Sequence, residues 1–342
     1  MGRLSFLIKW HQLHKPLKFL ILLLVLFSSE RDVVLGSGSD RSALLELKDS
    51  ISDPYGVLTS WNLNNRDHCL WAGVLSMPFN ELSGYIPVEI WGMEKLEVLD
   101  LEGNLISGSL PSQFKGLKIL KVLNLGFNEI FGGMPSSLLN CMGLQILNLA
   151  GNQVNGSIPR FIGEFRNLRG LYLSFNLLGG SIPGDVWDNC GKLEHLELAG
   201  NFFTGSIPKS LGKCRGLKTL LLNNFGGAIP SDLGNCTMLS VLVLSNLWDP
   251  LPNISSFRSD ISTEKLALIA DEYNLYEGTI PAEITSLSSL RMVWAPRATL
   301  DGKLPDSWGF CANLEMLNLA QNYYSGKVSE GLATARNCIF LT

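Results

Sequence analysis

Leu144–Asn167, LQILNLAGNQVNGSIPRFIGEFRN, is the stretch whose reading decides the fold. Leu147 and Leu149 alternate with Ile146 and Asn148, the period-two pattern of a short strand with one buried face. Asn152 ends that strand, Gly156 turns the chain, and Pro159 opens a return segment that finishes near Ile162 and Phe165. The unit has apolar side chains to bury and too few others to bury them against. It is stable only when stacked on copies of itself.

Those copies fill most of the chain. The opening leucine recurs at Leu96, Leu120, Leu144, Leu168, Leu193, Leu217, Leu239, Leu290 and Leu314, with Cys338 next. The steps are 24, 24, 24, 25, 24, 22, 51, 24 and 24 residues. Asparagines close the strands at Asn80, Asn104, Asn128, Asn152, Asn176, Asn201, Asn274 and Asn322. A buried Asn at each turn can bond the backbone of adjoining coils, satisfying groups that a bend would orphan. A G-x-I-P or G-x-L-P element follows at Gly108–Pro111, Gly156–Pro159, Gly180–Pro183, Gly205–Pro208, Gly227–Pro230, Gly278–Pro281 and Gly302–Pro305. The spacing predicts a solenoid with short parallel strands on its concave side and irregular or 3₁₀ segments opposite. Apolar residues make up 46% and charged residues 17%, the balance of a packed protein and not a disordered one. The net charge of −4 argues against nucleic acid or anionic lipid as partners.

The N-terminus reads differently. Arg3, Lys9, Lys15 and Lys18 precede nine unbroken apolar residues, Phe19–Phe27, and then Ser28 and Ser29. This is the order of a secretory signal peptide over residues 1–29, and nine residues fall short of the roughly 20 that a membrane helix needs. From Asp40, a possible helix cap, Ala43, Leu44, Leu47 and Ile51 have helical spacing until Pro54 and Gly56 stop it. Trp61 and then Cys69–Val74 (CLWAGV) follow.

Here the chain resembles the N-terminal cap of plant leucine-rich-repeat receptors, patterned as helix, tryptophan and C-x-W-x-G-V-x-C. The resemblance makes residues 40–74 a short helical cap, but an incomplete one: Ser76 stands where the second cysteine belongs. Leu75–Gly84 already reads as part of a repeat, so a deletion at Val74–Leu75 is expected, leaving Cys69 without its disulfide. With the G-x-I-P form of the repeat, the resemblance to plant receptor-like kinases and receptor-like proteins extends over residues 40–342. It is nearest to the receptor-like protein kinase subgroup that includes the Toadstool kinases. Ile90–Asn104 (IWGMEKLEVLDLEGN), Cys190–Leu198 and Ser240–Asn246 (SVLVLSN) carry it.

The resemblance implies a right-handed leucine-rich-repeat solenoid that recognises a ligand outside the cell, with no cofactor. A peptide or another receptor ectodomain would be the partner, and full-length relatives would sit in the plasma membrane. A kinase's Gly-rich phosphate loop, V-A-I-K lysine, H-R-D and D-F-G are not found in the sequence, and no apolar run after residue 30 has membrane length. The expectation is therefore a secreted ectodomain fragment without catalysis, ending in the opening of a further repeat. The alternative is a secreted repeat inhibitor of microbial cell-wall-degrading enzymes, like the polygalacturonase inhibitors.

Two irregularities stand out. The repeat from Leu217 is two residues short, where Asn223-Asn224-Phe225 leads straight to Gly226-Gly227. Residues 247–271 break the pattern and read as an island between repeats 75–246 and 272–342. Cys141, Cys190, Cys214, Cys236, Cys311 and Cys338 share one repeat position, which predicts a buried ladder of free thiols; a Cys190–Cys214 pair is the alternative. No metal site is expected from such scattered residues. Sequons at Asn155, Asn235 and Asn253 suit a glycosylated protein.

Strand residues beside the leucines, and those just after, should face the concave side. Phe127, Tyr172, Phe175, His195, Glu197, Trp294 and Arg297 are the candidate ligand contacts, because exposed aromatics beside polar groups suit a peptide groove. Glu197 near His195 is not read as an acid–base pair, since an open repeat surface supplies no water-excluding pocket.

Overall fold

The computed structural model describes residues 73–245 and 274–328, together with Leu47, Ile51–Ser52, Glu330–Ala333 and Phe340–Leu341. The signal segment, nearly all of the cap with Cys69, the island and Asn253 lie outside the described residues. Leu47 is helical and fully buried.

Each coil contributes one short strand, three residues long except the last, to a parallel sheet running from Val74–Ser76 to Phe340–Leu341, eleven strands among the described residues. The register advances one repeat per strand: Leu75 pairs with Leu99, Leu99 with Leu123, and Leu171 with Leu196. These central residues point inward and are buried, while those on either side point to the concave face. Val74–Ser76 is the sheet's first strand, so the Val74–Leu75 junction lies inside a repeat.

A second sheet forms where each coil leaves the asparagine turn. Ile51, expected in the cap helix, lies in a strand instead: Ile51–Ser52 pairs antiparallel with Ser83–Tyr85, and parallel strands then follow as far as Phe202–Phe203. Most return segments are single 3₁₀ turns, such as Ser136–Asn140, Arg160–Glu164 and Lys209–Lys213, while Ala282–Thr285 is a short α-helix. Each of these 3₁₀ turns begins after a proline, Pro135, Pro159 or Pro208, in extended backbone at φ −78°, −72° and −65°. Proline's fixed φ and missing N–H suit that entry position.

The asparagine ladder ties the two sheets. Asn152 Nδ2 donates to the carbonyls of Leu125, Leu149 and Ala150 at 2.9, 3.1 and 3.2 Å, and Oδ1 accepts from Ile130 N at 2.8 Å. Asn104, Asn128, Asn176 and Asn201 repeat this pattern. Where the ladder falters, the second sheet breaks. In the short repeat Asn223 Oδ1 takes Gly200 N instead, and Gly226–Ala228 pairs forward with Leu275–Glu277 but not back with Phe202–Phe203. At Ala298, which occupies the ladder position, the sheet breaks again, and Asp301–Gly302 pairs only with Tyr323–Tyr324. The two-residue shortening is thus absorbed in the turn, while the concave sheet passes unbroken from Thr219–Leu221 to Val241–Val243.

Two further expectations need correction. The island does not separate repeats. Val241–Val243 supplies the strand and Asn274–Pro281 the turn of one coil, because Val241–Val243 pairs directly with Met292–Trp294 and Gly226–Ala228 with Leu275–Glu277. The insertion falls inside that coil. The cysteines are not all free, either: Cys190 and Cys214 form a disulfide between neighbouring coils, and among the described residues Cys141, Cys236 and Cys311 are buried thiols. Equal repeat position stacks the two side chains with their Cα atoms 5.0 Å apart, within bonding range.

Candidate functional site on the concave sheet

One file of concave side chains runs Ser76, Asp100, Asn124, Asn148, Tyr172, Glu197, Leu221, Val243, Trp294 and Asn318, because these residues are register partners strand to strand. The file turns from polar to apolar, and Tyr172 and Glu197 stand at the change.

Tyr172 stacks on His195 of the next coil, with ring centroids 6.2 Å apart and planes 20° apart. The ring reaches that position by lying across Gly170, where a Cβ would come within 2.5 Å of it. Preceding strands carry Val98, Val122 and Ile146 at the equivalent place, and any of these would push the ring off. His195 Nδ1 is held by Thr219 Oγ1 at 3.1 Å. Burial, then repulsion from Lys218, lowers its pKa, against a raising influence from Glu194. Glu194 itself bridges Arg169 at 2.9 Å and Lys218 along the sheet edge, which holds its own pKa down.

Glu197 projects beside this stack. Burial pushes its carboxyl up to about 7 from an ordinary value of 4.5. Asp100, bonded by Ser76 Oγ at 3.4 Å and Glu102 N at 3.3 Å, is likewise raised to about 6 by burial. A carboxyl whose folded pKa exceeds its unfolded one binds more protons in the folded state, so stability falls as pH rises through that window. The melting temperature should therefore rise as pH drops from about 7.5 to about 5.5, and Glu197→Gln should flatten the slope. His195 acts in the opposite sense but is the same in both proteins. Thermal unfolding of the two across that range is the check; equal slopes would rule out Glu197 as a source.

The other candidates separate. Phe175 and Phe127 lie just past their strands in left-handed backbone, at φ +59° and +54°. Their rings cover Gly200 and Gly151 of the next coil, where a Cβ would sit 2.5 Å away. They are half-buried spacers between coils as much as groove walls. Trp294 was expected to offer open surface, yet it is 2% exposed. It clusters with Val243 and Met292 on the concave side, apart from the main core. Arg297, exposed at φ +52°, bonds Gln321 through Nε. Trp294 stands three strands beyond Glu197, roughly 14 Å at the ordinary strand spacing. Only Tyr172, His195 and Glu197, with Phe175 at the strand end, are brought together.

Gly170 and Thr219, which seat and orient the stack, were not singled out from sequence. The signal for Gly170 was a glycine in a strand where its neighbours are β-branched. Asn155 and Asn235 are exposed. Among the described residues no group of His, Cys, Asp and Glu could hold a metal ion, and no helix is long and apolar enough to cross a membrane.

Residues 37–75 match the leucine rich repeat N-terminal domain, and residues 95–117, 143–165, 167–189 and 192–214 match the leucine rich repeat. The chain is 33% identical to the probable LRR receptor-like serine/threonine-protein kinase RPK1 of Arabidopsis thaliana, over 25% of this chain and 27% of that protein. Among solved structures it is similar to a TDR receptor, with a TM-score of 0.67 and 29% identity over 78% of this chain and 42% of that one. It is also similar to the Arabidopsis receptor kinase HAESA in complex with the peptide hormone IDA and the co-receptor SERK1. That TM-score is 0.67, with 26% identity over 89% of this chain and 53% of that one. The chain thus spans about a quarter of the curated relative and about half or less of these receptors.

Proposed function

We propose that this chain, a leucine-rich-repeat solenoid homologous to Arabidopsis leucine-rich-repeat receptor kinases, binds an extended peptide along its concave sheet outside the cell. The single observation that carries the reading is the Tyr172–His195 stack with Glu197 beside it, at the point where the file turns from polar to apolar. A stacked aromatic pair is a pre-formed apolar platform and needs no ordering when a ligand arrives. Glu197 offers a carboxyl for a backbone N–H or a basic side chain. Similar solved structures, a plant peptide hormone receptor in complex with RGF2 and HAESA in complex with IDA and SERK1, agree with such partners. On this reading the chain is a recognition fragment of a longer receptor and catalyses nothing itself.

The test is retention of secreted plant peptides on the immobilised protein, read by mass spectrometry. The wild type should retain a defined set, and Tyr172→Ala with Glu197→Ala should weaken that retention roughly tenfold or more. Equal retention by both proteins counts against the reading. Retention of pectin-degrading enzymes alone would replace it with the inhibitor.

A further inference from the structure

The second sheet carries an apolar stripe that the concave site does not use. Leu177 and Phe131 are 49% and 48% exposed, large values for side chains in the middle of a sheet. Asn155 lies between them: its Cα is the register partner of Leu177, and Gln153, two residues earlier on the same face, partners Phe131. Asn155, Gly156 and Ser157 form a complete sequon, and all three are exposed. Glycines flank Asn155 on both neighbouring strands: Gly133 beside it, and Gly179 two residues past Leu177 on the same face. A Cβ at Gly133 would meet only the Asn155 carbonyl oxygen, at 3.7 Å, and the nearest atom to one at Gly179 would be the Phe202 carbonyl oxygen, at 3.2 Å.

We propose that Asn155 carries an N-linked glycan whose first sugars lie on Leu177 and Phe131, beside the flanking glycines. A pyranose ring has a face of C–H bonds and a rim of hydroxyls. The face buries against an aliphatic and an aromatic side chain, and the rim stays in water. Glycines permit this because a side chain at their positions would hold the ring off the backbone. The glycan would thus cover an apolar patch that a soluble protein otherwise exposes. The second described sequon, Asn235-Cys236-Thr237, has different surroundings. Asn235 ends a 3₁₀ turn and borders a cleft lined by Lys209, Lys213, Asp188 and Asp232, so a sugar there meets charged groups. The proposal requires passage through the secretory route and does not depend on peptide binding by the concave face.

The experiment uses the full chain secreted from plant cells. Glycopeptide mass spectrometry reads occupancy at Asn155, and binding of the dye ANS to the folded protein reads exposed apolar surface. Asn155 is expected to be occupied, and Ser157→Ala to lose the glycan and gain ANS fluorescence. Thr237→Ala should show no such gain, and Leu177→Ser added to Ser157→Ala should take most of it back. Circular dichroism identifies a variant that has not folded; enzymatic release of the whole glycan at the asparagine of the folded wild type then replaces it and should give the same gain. An unmodified Asn155 peptide, no gain on removing the glycan, or an equal gain in Thr237→Ala would each overturn the proposal.

Discussion

Asn152→Ala is expected to lower the unfolding free energy by about 3–5 kcal/mol, because a buried polar group left without its partner costs about 1–3 kcal/mol. The substitution removes one acceptor, bonded by Ile130 N, and the donor shared by the carbonyls of Leu125, Leu149 and Ala150. Water cannot replace them, since Asn152 is 4% exposed. Asn152→Asp keeps the acceptor and loses the donor while adding a charge in the interior, so it should be no milder. Denaturant titration with a common m-value measures both. A loss under about 1 kcal/mol for Asn152→Ala would mean that the coils bond well enough without the ladder.

Gly212→Ala should follow, at about 1–3 kcal/mol or more. In the 3₁₀ turn Lys209–Lys213 a Cβ on Gly212 would lie 2.3 Å from the Asp232 carbonyl oxygen of the next coil. Backbone, unlike a flexible side chain, cannot yield locally, so the coils must splay. Gly184→Ala is the control, because nothing lies within 4 Å of its Cβ, and it should stay within about 0.5 kcal/mol. Thermal or denaturant unfolding of the pair is the check, and equal effects would dismiss coil spacing as the cause.

The solenoid was legible because its period is arithmetic: a leucine that returns every 24 residues leaves no other fold to bury it. The ladder asparagines were legible for the same reason, as a polar residue fixed amid apolar ones. What stayed hidden depends on which coils touch. Trp294 reads as exposed until Val241–Val243 is paired directly with its strand, which brings Val243 beside Trp294 and Met292. Cys190 and Cys214 share a repeat position with Cys141, Cys236 and Cys311, yet they alone among these bond, and shared position does not distinguish them. The positive φ of Phe127 and Phe175 was hidden as well, although phenylalanine and glycine alternate before the ladder asparagine, from Phe79 and Gly103 to Phe175 and Gly200. That alternation is the sequence trace of rings resting on the bare backbone of the next coil. Among the candidate contacts, that Tyr172, His195 and Glu197 are neighbours was legible from strand position alone. Their seat at Gly170 needed the geometry.

The two gaps in the second sheet, after Phe203 and after Glu277, have a consequence for how the molecule comes apart. Coils joined along both sheets share enough coupling energy to open and close together. Coils across a gap keep only single backbone bonds there, Gly226 N to the Gly205 carbonyl and Asp301 N to the Gly278 carbonyl, and are expected to couple more weakly. A stack with nearest-neighbour coupling of unequal strength behaves as a chain of cooperative blocks in series. The candidate site at Tyr172, His195 and Glu197 lies within the first block, before the first gap. Fraying that starts at the far end of the solenoid therefore meets two weak couplings before it reaches the site, and it can halt at either one.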